Sequence, residues 1–221
     1  MIIAVDGPGG VGKSSVTQRI AKELNLTCIN TGAMCRCVAL TMIRNQISLD
    51  QMDQIEKILE TIQIEFRDDN SSVYLAGEDV TRMIRTKEVN LLVSKVADIP
   101  MVRYKMMEMQ RKMAEGKDVI MEGRDIGTLV FPNADVKFYL DADAGIRARR
   151  RFLQYQQEGI NLDMTYEDVL RDTRRRDEND KNRIVGTLKV AEDAVYINTN
   201  HMTLEEVINT ARQMIGKKKR R

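Results

Sequence analysis

IIAVDGPGGVGKSS, residues 2–15, is the stretch of the sequence that decides the fold. Its first four residues form a short apolar run, which is typical of a buried β-strand. Residues 7–14 match the phosphate-binding pattern G-x-x-x-x-G-K-[ST] at every fixed position. A helical pattern follows, with apolar residues at Val16, Ile20, Ala21 and Leu24. Strand, glycine-rich turn and helix together predict a P-loop, which holds the phosphates of a nucleoside triphosphate at a helix N-terminus.

The chemistry of a P-loop assigns a role to each part of this segment. We expect backbone N–H groups of the glycine turn to surround phosphate oxygens, and Lys13 to reach the β- and γ-phosphates. The hydroxyl of Ser14 suits a Mg²⁺ ion that accompanies ATP. The motif by itself does not identify the reaction, because GTPases, motor ATPases and small kinases all carry it. The guanine-reading sequence N-K-x-D is absent, and 221 residues are few for a transport or motor ATPase. The predicted ATP-binding residues are Gly7, Pro8, Gly9, Gly10, Val11, Gly12, Lys13, Ser14 and Ser15.

Four more short apolar runs share the character of the first one. They are LTCIN (26–30), DVIME (118–122), VKFYLD (136–141) and AVYIN (194–198). Since helical patterns alternate with these runs, the sequence predicts an α/β fold with a five-stranded parallel sheet covered by helices on both faces. The predicted helices cover 33–45, 50–62, a stretch around Val89–Val96, Pro100 to Gly116 and 143–158, with capping boxes at Thr165/Asp168 and Thr203/Glu206 opening two more.

One segment breaks this α/β rhythm. IEF (64–66) and VYL (73–75) alternate in the manner of strands around the turn-rich DDNSS (68–72), and Gly77 follows them. The pattern predicts a β-hairpin closed by Gly77. We interpret it as a small inserted subdomain that contains β-structure.

Composition excludes several classes of protein. Apolar residues make up 43% and charged residues 31%, as in ordinary globular proteins. No run approaches the roughly 18 apolar residues of a membrane span, and the N-terminal apolar run is too short for a signal-peptide core. The single histidine, His201, excludes His-based triads and multi-His zinc sites. Three cysteines without a C-x-x-C pair favour a reducing, cytoplasmic compartment.

The balance of charge argues against nucleic acid as a partner. The net charge is +2, and the last five residues, KKKRR (217–221), are all basic. The rest of the chain is therefore slightly acidic and offers no general cationic surface. A solvated terminus is the more common role of such a tail. An ATP-dependent nucleic-acid-binding protein that uses this tail remains the alternative from another class.

Arginines predict a second anion site opposite the P-loop. Arg124 directly follows a strand in Glu122–Asp125 (EGRD), and Arg36 follows the Thr31–Gly32 turn after the second strand. Ligands of such sheets bind beyond the carboxyl ends of the strands, and guanidinium groups bind phosphate bidentately. Further arginines flank the insertion or share one charged segment near the C-terminus: Arg85, Arg103, Arg174, Arg175, Arg176 and Arg183.

A phosphate-bearing acceptor would explain the scarcity of general bases. Its second pKa is about 6, so its attacking oxygen is already anionic at neutral pH. Catalysis then consists of aligning two polyanions and neutralising their charge. A sugar or shikimate kinase would instead need a carboxylate base, and Asp6 or Asp125 could serve. Both kinds of acceptor stay open on this reasoning.

Specific motifs carry a resemblance to one family over residues 1 to about 200. The stretches DGPGGVGKS, TGAMCR, GEDVTRMIRTKEV, EGRDIGTLVFPNADVKFYLDA and RRRDENDKNR resemble the cytidylate kinases of the bacterial type. The resemblance implies transfer of the ATP γ-phosphoryl group to CMP or dCMP by a cytoplasmic monomer. It also implies a single kinase domain with a core (1–31, 99–145, 184–216), a nucleoside-monophosphate-binding (NMP) subdomain (32–98), a lid (146–183) and the basic tail (217–221).

The same resemblance implies the roles of individual residues. Thr31, Arg36, Arg124 and Arg183 would hold the acceptor phosphate, and Ser94, Arg103 and Asp125 would face the cytosine. Asp180, together with Arg176, would contact the sugar. The predicted catalytic residues are Lys13, Arg124, Arg174, Arg175 and Arg176. The motifs depart from the family pattern at Cys35, where tyrosine is usual, and at Thr187, where proline is usual. We interpret Cys35 and Cys37 as buried small apolar residues.

Overall fold

A computed structural model describes residues 1–67, 72–160 and 162–219. Within these residues, five parallel strands form the central sheet: β1 (Ile2–Asp6), β2 (Thr27–Asn30), β6 (Val119–Glu122), β7 (Val136–Asp141) and β8 (Val195–Asn198). Their order across the sheet is β2-β6-β1-β7-β8. The carboxyl ends of β1 and β6 are therefore neighbours, with Val5 opposite Glu122. This pairing brings the P-loop beside the segment that contains Arg124.

Side chains that alternate along the strands point into two separate apolar layers. Ile3 and Val5 pack with helices α1 (Lys13–Leu24) and α8 (Leu204–Lys219) on one face. Ala4 points the other way and packs among α2 (Thr31–Arg44), α4 (Lys87–Asp98) and α5 (Pro100–Ala114). The prediction of a parallel sheet covered on both faces is confirmed.

The inserted segment forms a separate small sheet. Strands β3 (Ile64–Arg67), β4 (Ser72–Leu75) and β5 (Glu78–Asp79) are antiparallel and lie between α3 (Met52–Thr61) and a 3₁₀ turn, Met83–Arg85. The predicted role of Gly77 is corrected here. With Ala76 it forms the tight turn from β4 to β5, where both residues have positive φ (49° and 82°), as a two-residue hairpin turn requires. The central residues of the DDNSS turn, 68–71, lie outside the described residues.

Two helices that follow β7 in the chain pack against each other. They are α6 (Ala144–Glu158) and α7 (Tyr166–Asn182), and a small apolar cluster of Ala148, Tyr155 and Val169 holds them together. The capping box of Thr165 with Asp168 is present as predicted, and so are the reciprocal bonds of Thr203 with Glu206 before α8. The remaining helices agree with the predicted ones to within a few residues.

Thr31 and Gly32 differ from the prediction of a turn after β2. Helix α2 begins directly at Thr31, because the Asn30 side chain caps it by accepting a hydrogen bond from Ala33 N–H (2.9 Å). Arg36 therefore projects from the first turns of a helix whose N-terminus points at the edge of the sheet. Within the described residues, every helix is too short or too polar to cross a lipid bilayer.

Candidate active site

The P-loop has the backbone that its glycines predict. Gly10 and Gly12 have φ of 85° and 93°, a region that L-residues with a Cβ rarely adopt. Gly12 is also the N-cap of α1, so the loop runs straight into a helix N-terminus. An added Cβ at Gly9 would lie 3.4 Å from Nη2 of Arg124. The arginine predicted for the second anion site thus lies beside the turn, and a side chain at residue 9 would contact it.

The side chain of Lys13 folds back onto the P-loop, where phosphate is expected to bind. Its Nζ donates to the carbonyl oxygens of Gly7 and Pro8, both at 2.7 Å, and the residue is only 6% exposed. Burial, and next the positive charge of Arg124, lower the pKa of Lys13 to about 7. An anion placed at the loop would raise that pKa again. The arrangement therefore favours a negatively charged ligand.

Two buried carboxylates lie at the same strand ends. Asp6 accepts backbone hydrogen bonds from Ile126 (2.8 Å) and Gly127 (2.7 Å), and burial raises its pKa to about 6. Glu122 ends β6 next to Lys13, and burial raises its pKa as well, although Lys13 and a hydrogen bond with Ser14 oppose that rise. Asp6 is thus bound to the backbone of the turn that follows Asp125.

The pair of Ser14 and Glu122 fits a Mg²⁺ ion. A hydroxyl and a carboxylate that lie close enough to interact supply the oxygen ligands that this ion prefers, and Mg²⁺ completes its shell with water and phosphate. No cluster of three or more acidic, histidine or cysteine side chains suitable for a metal occurs among the described residues. Such a site would therefore depend on the nucleotide for its remaining ligands. Asp141, another strand-end carboxylate, instead accepts from the hydroxyl of Tyr196 (2.7 Å).

Arg124 and Arg183 converge on one carboxylate. Asp180 accepts from Arg124 Nε and from Arg183 Nη2, each at 2.6 Å. Burial alone would raise the pKa of Asp180, but the two guanidinium groups outweigh it and hold that pKa below its ordinary value. Arg183 also donates to Asp98 at the end of α4 (2.6 Å). Two residues predicted to bind the acceptor phosphate and one predicted to bind the sugar thus lie together.

Arg36 belongs to a second group of arginines. Its neighbours are Arg151 of α6 and Arg176 of α7, and burial together with these positive charges lowers the pKa of Arg36 to about 9. Arg176 pairs with Asp172 at 2.8 Å on its own helix. Crowded cations in a buried place are unfavourable unless an anion joins them. The group has the electrostatic character of an anion-binding site.

Arg103 and Asp125 form a buried ion pair between α5 and the end of β6. Gly186, with φ of 74°, lies directly on this pair, since an added Cβ would be 2.0 Å from Asp125 Oδ2.

Cys35 is buried close to Arg103 and Arg183, and burial raises the pKa of its thiol. Cys37 is buried too, so both cysteines are small core residues as predicted. Ser94, on α4, accepts a hydrogen bond from Asn179 of α7 (3.3 Å).

The predicted residues that stay outside this cluster are Arg174 and Arg175. Both are exposed on α7, and Arg175 pairs with Asp172 on the same helix. The last predicted residue, Thr31, donates its hydroxyl to the carbonyl oxygen of Glu122 (2.8 Å). It thereby joins the start of α2 to the strand end that carries Arg124.

Sequence reasoning missed Arg147. This α6 residue is only 4% exposed, and it donates to the carbonyl of Gly9 (3.1 Å) while pairing with Asp177 of α7. It therefore connects the two lid helices to the P-loop. Four arginines occur within Arg147–Arg151, and helical spacing alone did not show which one faces the loop. Glu122 was also missed, although a carboxylate at the end of an apolar run was a usable signal.

Comparison with known proteins decides the family. The family model described as cytidylate kinase matches residues 3–217. The chain belongs to the cytidylate kinase family. A cytidylate kinase of Fusobacterium nucleatum is 43% identical over 219 residues, covering 99% of both chains. One of Desulforamulus reducens is 46% identical over 209 residues, covering 94% of this chain and 93% of its own. The resemblance inferred from the motifs is confirmed.

Solved structures agree on the fold of this cytidylate kinase family member. A shikimate kinase from Bacteroides thetaiotaomicron covers 98% of both chains with a TM-score of 0.52 at 10% identity. An uncharacterized protein from Eubacterium ventriosum covers the same share with a TM-score of 0.51 at 13% identity. At such identities the likeness concerns the fold alone. The predicted P-loop kinase fold is confirmed.

Proposed function

We propose that this member of the cytidylate kinase family transfers the γ-phosphoryl group of ATP to CMP and dCMP, forming CDP and dCDP. The observation that carries the proposal is the pair of anion sites at one edge of the sheet. One is the P-loop with Lys13, and the other contains Arg124 and Arg183 around Asp180, with Arg36 in the second group beside Arg151 and Arg176. A Cβ added at Gly9 of the P-loop would lie 3.4 Å from Arg124 Nη2, so two phosphate groups bound at these sites would be neighbours.

Phosphate is the acceptor that this chemistry suits. The two carboxylates considered as bases for a hydroxyl acceptor are both engaged, Asp6 with backbone N–H groups and Asp125 with Arg103. A phosphate acceptor needs neither of them, because its oxygen is already anionic at neutral pH. The arginines would hold the attacking oxygen in line and offset the charge on both nucleotides.

Mg²⁺ is the cofactor that we propose, held with ATP by Ser14 and Glu122. The ion would neutralise charge on the phosphate oxygens as the phosphoryl group moves. The chain's own contribution at this point is an oxygen pair fixed by β6 and the start of α1. Lys13 would leave the carbonyls of Gly7 and Pro8 to bind phosphate oxygens.

Cytosine recognition would depend on the Arg103–Asp125 pair together with Ser94. Cytosine offers an amino donor and acceptors at N3 and O2, which a carboxylate and a guanidinium group match. Uracil has the opposite pattern at two of these atoms. A pocket whose buried polar groups are left unpaired would discriminate against uracil by roughly 1 kcal/mol or more.

We infer that the lid comprises residues 146–183 and the NMP subdomain residues 32–98, with the rest of residues 1–216 as the core. The support is that α6 and α7 carry their own apolar cluster. Closure of such a lid would exclude water, which competes for the phosphoryl group. The exposed Arg174 and Arg175 would approach the phosphates only through that movement.

We also propose that the enzyme is a cytoplasmic monomer that binds no nucleic acid. Both predicted nucleotide sites are built from one chain, and three buried thiols suit a reducing compartment. The tail, of which residues 220 and 221 lie outside the described residues, is the remaining candidate for nucleic-acid binding. Deleting residues 217–221 and measuring RNA binding at several salt concentrations tests this rival, which requires affinity and salt dependence to fall together.

A substrate panel tests the proposed activity. With ATP, we expect turnover of CMP and dCMP, UMP turnover at least about fivefold lower in kcat/KM, and none with AMP or shikimate. Formation of CDP is followed in a coupled assay. Turnover of shikimate, or failure to form CDP, would contradict the proposal.

Gly186→Ala is expected to weaken CMP binding by disturbing the base pocket. The new Cβ would lie 2.0 Å from Asp125 Oδ2 and 2.4 Å from Arg103 Nη2, so the loop or the ion pair must move. Gly116→Ala is the matched control, because Gly116 has a similar φ of 67° and no atom within 4 Å of the added Cβ. Titration calorimetry with CMP compares the two, and the control is expected to lose only about 1–2 kcal/mol of folding stability. Equal CMP affinity in both variants would contradict the placement of the pocket.

A further inference from the structure

We propose that Asn90 is a positioning residue that aims Arg36 at the acceptor phosphate without neutralising it. The inference rests on the proposed function, which places a nucleoside monophosphate at the arginine sites. Asn90 lies near the start of α4 and is 8% exposed. It is a buried polar side chain outside the motifs that predicted the site, and its hydrogen bonds reach three parts of the molecule.

The Asn90 side chain has one orientation that satisfies its neighbours. Its Oδ1 accepts from Arg36 Nη1 at 2.7 Å, and its Nδ2 donates to the carbonyl of Arg85 at 2.8 Å. Rotating the amide by half a turn would place NH₂ against the guanidinium group and oxygen against a carbonyl. The carbonyl of Arg85 therefore fixes the amide, and the amide fixes Arg36.

The main chain of Asn90 holds a second arginine of the same group. Its carbonyl oxygen accepts from Arg176 Nη2 of the lid helix α7 at 2.8 Å. Arg36 comes from α2 and Arg176 from α7. Asn90 therefore binds one guanidinium group from the NMP subdomain and one from the lid. A shift of this residue would move both of them.

The acceptors on Arg36 are neutral. Besides Asn90 Oδ1, Arg36 donates to the carbonyl of Ile84 (2.9 Å), and no carboxylate of residues 1–67, 72–160 and 162–219 forms an ion pair with it. Arg124 and Arg183 differ, since both already share Asp180. Arg36 thus keeps a positive charge that has no counter-ion before substrate binds. An amide orients this group, whereas a carboxylate at the same position would cancel its charge.

Asn90→Asp tests this distinction because it keeps the size and the oxygen acceptor that faces Arg36. It adds a charge there, and it replaces the donor to the Arg85 carbonyl with an oxygen. We expect CMP to bind roughly ten- to a hundredfold more weakly, as for loss of a charged hydrogen bond. Binding of cytidine, which lacks the phosphate, is expected to stay unchanged. The Tm of the empty protein is expected to change little, since attraction of the new carboxylate to Arg36 and to the helix N-terminus offsets the lost hydrogen bond to the Arg85 carbonyl. If Asn90 served folding alone, Asn90→Asp would lower the Tm and leave the affinity for CMP unchanged.

Titration calorimetry with CMP and cytidine, and thermal unfolding without ligand, provide the measurements. Asn209→Asp on the exposed face of α8 is the matched control and should leave both affinities unchanged. Asn90→Ala removes the acceptor without adding charge and is expected to weaken CMP less than Asn90→Asp, again without effect on cytidine. Equal losses for CMP and cytidine, or wild-type CMP affinity in both Asn90 variants, would overturn the role of Asn90. A wild-type chain that binds no CMP would instead overturn the proposed function.

Discussion

Lys13→Ala is expected to lower kcat for CMP phosphorylation by roughly a hundred- to a thousandfold, the usual effect of removing one preorganised charge from a transferring group. The side chain is buried at the P-loop, and in the empty site its ammonium group is satisfied by two loop carbonyls. Without it, the γ-phosphoryl group would lose the cation that lies nearest to the turn. Steady-state kinetics with saturating ATP and CMP measure the loss.

Lys22→Ala is the matched control for this change, since Lys22 is an exposed residue of the same helix and should leave kcat unchanged. The Tm of Lys13→Ala is measured alongside kcat, because the change also removes the cation beside the buried Glu122 and the donor to the carbonyls of Gly7 and Pro8. Wild-type turnover in Lys13→Ala would refute the assignment of the ATP site.

Arg124→Ala should weaken CMP binding by about 3 kcal/mol, which is more than a hundredfold in Kd, while ATP affinity changes little. Two effects act together in this variant. The phosphate loses a bidentate donor. Asp180 loses one of the two arginines that pair with it and keeps Arg183. The partly uncompensated carboxylate would then repel the incoming phosphate. Calorimetric titrations with CMP and with ATP separate the two affinities.

Two further variants sharpen that experiment. Arg124→Lys keeps the charge but lacks the planar fork, so it should give an intermediate loss. Arg44→Ala removes an exposed arginine that pairs with Glu78 on the surface of the NMP subdomain, and such pairs contribute only about 0–1 kcal/mol. Its CMP affinity should match that of the wild type. An equal loss of ATP and CMP affinity in Arg124→Ala would place Arg124 at the donor site instead.

The central fold could be predicted from the sequence because its strands are short, apolar and closely spaced to helices. The P-loop predicted both the first strand and its helix, and the four other strands were found within one residue of their bounds. The start of α2 was missed, since the cap on Ala33 N–H comes from Asn30, which the pattern assigned to a strand. β5 was missed because two residues, Glu78 and Asp79, are too few to show alternation.

The candidate site was predictable where residues follow strands or match motifs. Four residues predicted in this way lie together in the structure: Arg124, Asp125, Asp180 and Arg183. Arg147 and Asn90 depend on contacts between helices far apart in the chain, and no local pattern encodes such packing. Exposure distinguishes residues that the sequence does not. Residues 174–176 are three consecutive arginines, and of these Arg176 points inward and donates to Asn90, whereas the other two are exposed.

The carboxylate of Asp180 has a consequence for unwanted ligands. In the empty site it occupies both Arg124 and Arg183, and a group tethered to the same chain acts at an effective concentration on the order of millimolar or higher. Free orthophosphate would have to displace this internal competitor with phosphate contacts alone, whereas CMP also brings a ribose and a base. Free orthophosphate is therefore expected to bind Arg124 and Arg183 more weakly than CMP does.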